Sequence, residues 1–225
     1  MSRIHALAFA AALFCAAPLA FADDNSIDKV NGSIDAAAGQ TYGTLETVNG
    51  SIRIAASAHT GNAETVNGSI KVADNAHSGG LTTVNGSIHL GTRVLVDGGI
   101  ETVNGEIFAG GGSHVAKDVT TVNGAIGLVE TDLGGNIETV NGDITVGVGS
   151  HVRGGIKVHK PGPSWLPISF GKRTSPRIII GPNAVVVGPL VFEREVKLYV
   201  HSSARIGSVT GATIMKFNTA SAPQE

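Results

Sequence analysis

The tripeptide Val-Asn-Gly returns with its asparagine at Asn31, Asn49, Asn67, Asn85, Asn104, Asn123 and Asn141, spaced by 18, 18, 18, 19, 19 and 18 residues. A period this short and this regular belongs to solenoids, in which a repeat buries its apolar side only against its neighbours. Helix pairs need more residues per repeat, and no 3.6-residue apolar periodicity runs through the copies. Each repeat therefore reads as one coil of short strands.

Alignment on the asparagine gives columns. Valine always precedes it. Three residues after it comes Ile34, Ile52, Ile70, Ile88, Ile107, Ile126 or Ile144. Five after it the residue is again small or aliphatic, and between these two lies a variable, mostly polar column: Asp35, Arg53, Lys71, His89, Phe108, Gly127 and Thr145. Apolar, variable, apolar is the mark of a strand with one buried side. Stacked at the ~4.8 Å spacing of parallel strands, like residues form ladders within a narrow aliphatic core. Asn-Gly suits a sharp corner because both residues tolerate positive φ, and stacked asparagines can bond to one another. Thr47, Thr65, Thr83, Thr102, Thr121 and Thr139 form a second polar ladder. The asparagine and isoleucine columns are accordingly read as structural ladders.

From Arg177 the filler changes but six-residue, aliphatic-first turns persist, as in IGPNAV and VHSSAR. Eighteen is three sixes, so the expected fold is all-β: a single-stranded parallel β-helix of about 18 residues per coil and triangular cross-section. The period leaves its handedness undetermined.

Residues 1–22 have a short basic start, an apolar run and Ala20-Phe21-Ala22 before Asp23, the pattern of a cleaved secretory signal peptide. The one cysteine, Cys15, falls inside it, so the mature chain expected from Asp23 has no disulfide to rely on. No later stretch is apolar enough for a transmembrane helix. The expected layout is a VNG-repeat solenoid over 23–158, an insertion over 159–176, further coils over 177–217 and a disordered tail over 218–225.

Charge divides along the chain. Residues 23–150 carry 15 acidic against 5 Lys and Arg, a balance of −10, and residues 151–225 carry 3 acidic against 10 basic, a balance of +7. The insertion, HKPGPSWLPISFGKRTSP, holds the only tryptophan and four prolines, which exclude a regular strand. Trp165 and Phe170 with Lys160, Lys172 and Arg173 are the candidate partner-binding residues, suited to an anionic glycan, a lipid headgroup or a protein groove.

Four histidines fall ten residues after the repeat asparagine: His59, His77, His114 and His151, the column being interrupted by Leu95 and Leu133. With no carboxylate or thiolate column beside them they read as solvated or corner residues rather than metal ligands. Glu46, Glu64, Glu101 and Glu138 read as a solvated acidic stripe.

The VNGSI and ETVNG motifs resemble the adhesin repeat domains of exported bacterial proteins over about residues 28–158. IIIGPNAVVVGPLVFEREVKLYVHSSARIG is similar to the winding of bactofilins, polymer-forming bacterial scaffold proteins. Both resemblances imply a β-helical solenoid, and the second implies end-to-end filaments. Neither supplies a catalytic residue to carry over. The expectation is a non-enzymatic, exported structural or adhesin-like protein of the bacterial envelope, periplasmic or on the cell surface, self-assembling end to end. The alternative is a monomeric module binding an anionic envelope glycan or lipid, with a polysaccharide-active β-helix enzyme as a third. No nucleic-acid partner, cofactor, metal or catalytic residue is expected.

Overall fold

A computed structural model describes residues 25–161 and 175–223. Residues 1–22, expected to be a signal peptide, and Trp165, Phe170, Lys172 and Arg173 lie outside the described residues. The chain winds into a parallel β-helix of about 9 turns, with about 19 residues per turn. Its three parallel sheets, here faces one to three, contain 10, 10 and 7 strands respectively. Face one is built from strands such as Leu45–Asn49, face two from strands such as Ile52–Ile54, and face three from short strands such as His77–Ser78.

Rungs pair at the repeat offset, Leu45 with Ala63, Ile52 with Ile70 and Asn49 with Asn67. Across the insertion Ile144 pairs with Ile178 and Ile156 with Leu190, so the extra residues leave at a corner and both sheets continue in register beyond them. The VNG coils and the C-terminal coils are thus one solenoid. Residues 218–223 follow the last strand, and Ala222 is buried against Tyr199 and Phe217 on the outside of face two.

The isoleucine column from Ile34 to Ile144 is buried throughout, as its spacing requires. Face one departs from the expected aliphatic filling. In LETVN-type strands such as Leu45–Asn49 the first and third residues point inward, so the threonines are buried and the valines face out, with Val140 alone of them covered. Valine at the corner of the first coil, Val30, is 66% exposed. The buried threonine serves a carbonyl that the tight corner would otherwise strand: Thr47, Thr65 and Thr83 Oγ1 donate to the oxygens of Gly32, Gly50 and Gly68 at 2.8–3.0 Å. A buried acceptor without a donor costs about 1–3 kcal/mol, which explains a polar column inside an aliphatic core. Thr139 is the exception, its Oγ1 buried without a partner.

Asparagine stacking is as expected. Each Nδ2 donates to the Oδ1 one coil earlier at 3.0–3.1 Å, in an unbroken series from Asn141 back to Asn31. The glycine beside it acts for a different reason. Only Gly32 and Gly124 of this column have positive φ. What demands glycine is the stacking distance: a Cβ on Gly68 would lie 1.9 Å from the carbonyl oxygen of Gly50, and one on Gly86 2.0 Å from that of Gly68.

Positive φ is instead concentrated at the second corner. Gly39, Ser57, Asn75, Arg93, Gly112, Glu130, Gly149 and Asn183 occupy equivalent places with φ between 45° and 74°. Left-handed backbone costs a non-glycine residue about 1–2 kcal/mol, so Ser57, Arg93 and Glu130 carry strain that the surrounding rungs must hold.

The two corners make different predictions for alanine. Gly68→Ala is expected to cost about 3 kcal/mol or more, because backbone of two coils must separate. Gly39→Ala meets no atom within 4 Å and is expected to cost only the ~1–2 kcal/mol of left-handed backbone. Urea unfolding of the two variants measures the difference.

Candidate interaction surfaces

The insertion leaves the solenoid where the asparagine series ends, and its root is a polar cluster. His159, whose side chain is only 10% exposed, sits between two carboxylates, with Nε2 3.0 Å from Glu138 Oε2 and Nδ1 3.6 Å from Glu193 Oε2. Lys157 Nζ lies 3.0 Å from Glu193 Oε1. Lys160, the one candidate partner-binding residue among those described, is exposed, and its backbone N–H donates to Glu193 Oε2 at 3.2 Å. Arg194 closes the asparagine series: its Nη1 donates to Asn141 Oδ1 at 2.6 Å and to the Val140 carbonyl at 3.1 Å.

Glu193 is therefore the anchor of this root. The hydrogen bond from Lys157 and then the N–H of Lys160 hold its carboxyl below the usual range, against a smaller opposing effect of burial. The opposite happens on face one, where Asp28, Glu46 and Glu64 stand on successive rungs. Burial, with the charges of Glu64 and Asp28, pushes the Glu46 carboxyl up.

On face three the histidine column differs from the expected one. The coil after Asn123 reaches the third face one residue early, so Asp132 rather than Leu133 pairs with His114 and His151. Leu133 points into the core instead. Asp132 is flanked on both sides, with His114 Nδ1 at 3.4 Å, His151 Nδ1 at 3.5 Å and Arg153 Nη2 at 3.0 Å. His59 and His77 meet edge to face at 5.5 Å, and His77 Nε2 lies 2.7 Å from Asp97 Oδ2. Among the described residues no group of three or more histidine, cysteine or carboxylate side chains is arranged to hold a metal ion.

Face two carries an open concavity. A groove of about 640 Å³ crosses the first four coils, floored by Ala37, Ala55, Ala73 and Gly91 and edged by Asp35, Arg53, Lys71 and His89. The edge is the variable column noted in the sequence, and the floor exists because the residue after each inward aliphatic is alanine or glycine. Arg53 pairs with Asp35 at 3.3 Å, both exposed. The sequence showed the edge column but not the row of small residues that adjoins it on the outside of one sheet. Arg194 and Asp132 were missed for a related reason, since recognising either requires the register across a coil of altered length.

No protein-family model, no curated protein and no solved structure matches this chain.

The two perturbed carboxyls give predictions of opposite sign. A carboxyl held low in the folded state contributes stability above its unfolded range and loses it as pH falls. Glu193→Gln is expected to lower the thermal midpoint at neutral pH and to leave it unchanged in strong acid. A carboxyl pushed up favours its protonated form on folding, so Glu46→Gln is expected to raise the midpoint at neutral pH, with the gain vanishing as pH falls below the usual carboxylate range. Thermal unfolding of both variants across pH measures the two signs.

Proposed function

We propose that this protein is an exported, non-enzymatic β-solenoid of the bacterial envelope that works as a single capped rod and binds an anionic envelope polymer along its sides. The observation that carries this reading is the construction of its two ends. A solenoid end is an open sheet edge, and inward-pointing charge is a known means of keeping such edges from pairing. At the first rung Lys29 takes the inward place that Thr47 fills one coil later. Its Nζ reaches across to donate to the Ser33 carbonyl at 2.8 Å. In the same coil Tyr42 packs against the core, its hydroxyl accepting the Ala37 N–H at 3.0 Å.

The last rung has the same device. Lys216 stands opposite Val200 in an inward column of face two and is exposed. A second copy stacked end to end would bring these two ammonium groups toward one dry core. Burying an unpaired charge costs more than a single apolar rung returns. The capped ends thus favour the binding-module reading over filament formation, and over the bactofilin-like part of the resemblance. The adhesin-repeat part, the export signal and the absence of catalytic chemistry remain within the proposal.

Filament assembly is the second reading, favoured by the opposed charge of the two halves and by Ile214, which is 39% exposed at the last rung. Sedimentation of the mature chain over a range of concentration and salt separates the two. A single species of monomer mass is expected throughout; polymers that dissolve with salt would overturn the capped-rod reading. Lys29→Thr with Lys216→Val is expected to convert the monomer into concentration-dependent polymers, read in the same experiment.

A further inference from the structure

We propose that the groove on face two is a subsite for a linear, carboxylate-bearing polysaccharide lying parallel to the solenoid axis. This deepens the binding-module reading and rests on it. The shape comes first. The groove is open, elongated and floored by a row of alanines and one glycine, so it presents a flat apolar track rather than a closed pocket. Such a track suits the C–H faces of sugar rings, whereas a compact anion would find no enclosed cradle. A linear polysaccharide advances per sugar by nearly the spacing between rungs, so one sugar can meet each coil.

The chemistry along the edge supplies the charge. Arg53, Lys71, His89 and Phe108 follow one another on successive rungs. Arg53 is already engaged by Asp35, but Lys71 has no ion pair or hydrogen bond among the described residues. An exposed, unpaired ammonium on a rigid strand is free to meet a carboxylate without first breaking a contact of its own. His89 is the next donor in line, its ring 6.5 Å from that of Phe108. Phe108 is 37% exposed and leans toward Gly127 on the following rung, where a Cβ would lie 3.3 Å from its ring. Glycine there gives the ring room to lie against the sheet and offer a face to a sugar at the end of the track.

The internal repeats support a recognition role for this edge. The buried isoleucine column never varies over seven coils, while the edge column changes from acid to base to aromatic. Constant framework with a varied outer column is how a repeat protein supplies a different contact at each step.

Calorimetric titration of the mature chain with short polygalacturonate oligomers, with neutral cello-oligosaccharides as control, tests this. Binding is expected for the acidic oligomer alone, weakening with salt. Lys71→Glu is expected to weaken it at least tenfold, and Ala73→Leu, which raises the groove floor without touching charge, by a similar factor. Both substitutions lie outside the core, and circular dichroism verifies that the variants are folded. If the acidic oligomer binds but Lys71→Glu and Ala73→Leu bind it as the parent does, the groove proposal falls while the binding-module reading stands. Equal binding of the neutral oligomer overturns the choice of an acidic ligand. Failure of the parent chain to bind either sugar overturns the groove proposal, and failure on whole envelope glycan as well overturns the reading beneath it.

Discussion

The contact on which the rest depends is the near touch of one corner on the next. Gly68 sits so close to the Gly50 carbonyl that no side chain fits between them, and the same approach recurs up the VNG column. That distance fixes the rise per coil. Once it is fixed, asparagine reaches asparagine, threonine reaches the carbonyl of the corner behind it, and isoleucine lies on isoleucine. A β-helix without disulfides and with few aromatics has no single large residue to organise it, so its order comes from many small contacts repeated in phase. The cooperativity is lengthwise, and a coil that loses phase costs its neighbours on both sides.

The same reasoning accounts for where the chain departs from its own rule. The coil after Asn123 is shortened before face three, and the result is a carboxylate placed between two histidines in place of the leucine that counting from the asparagine predicts. The insertion between Val158 and Arg177 leaves from a corner, where added chain disturbs no rung. Its root is fastened by groups drawn from both sides of the interruption, Glu138 and His159 before it and Glu193 and Arg194 after it. Ends are treated like interruptions: Lys29, Tyr42 and Lys216 stand where the next coil would continue the core.

Much of the architecture was legible in the sequence because a repeat is its own alignment. Invariant isoleucine identified the core side of face two, and the asparagine spacing gave the register that the sheets adopt. What was not legible depended on which of two adjacent residues faces inward. Threonine and valine in ETVN are both β-branched strand formers, and hydrophobicity alone assigns them the wrong way round. The decision is made by the glycine carbonyl that needs a donor, which is a property of the folded corner. The left-handed corner escaped for the opposite reason: Gly39, Ser57, Arg93 and Glu130 share a backbone conformation and no side-chain chemistry. The groove required two columns to be seen side by side, and only the folded sheet puts the alanine row next to Lys71.

The account stands on parallel rungs stacked in register one repeat apart, and a cross-link tests that directly. Arg53 and Lys71 face outward on adjacent coils in register. With Cys15, the one native cysteine, replaced by serine, Arg53→Cys with Lys71→Cys puts two thiols one rung apart, within the ~4.4–6.8 Å Cα separation a disulfide requires. Mild oxidation followed by peptide mapping is expected to give a quantitative intramolecular 53–71 disulfide with the thermal midpoint preserved. Thiols that remain free, or that pair only between molecules, would contradict the stacked solenoid and everything drawn from it.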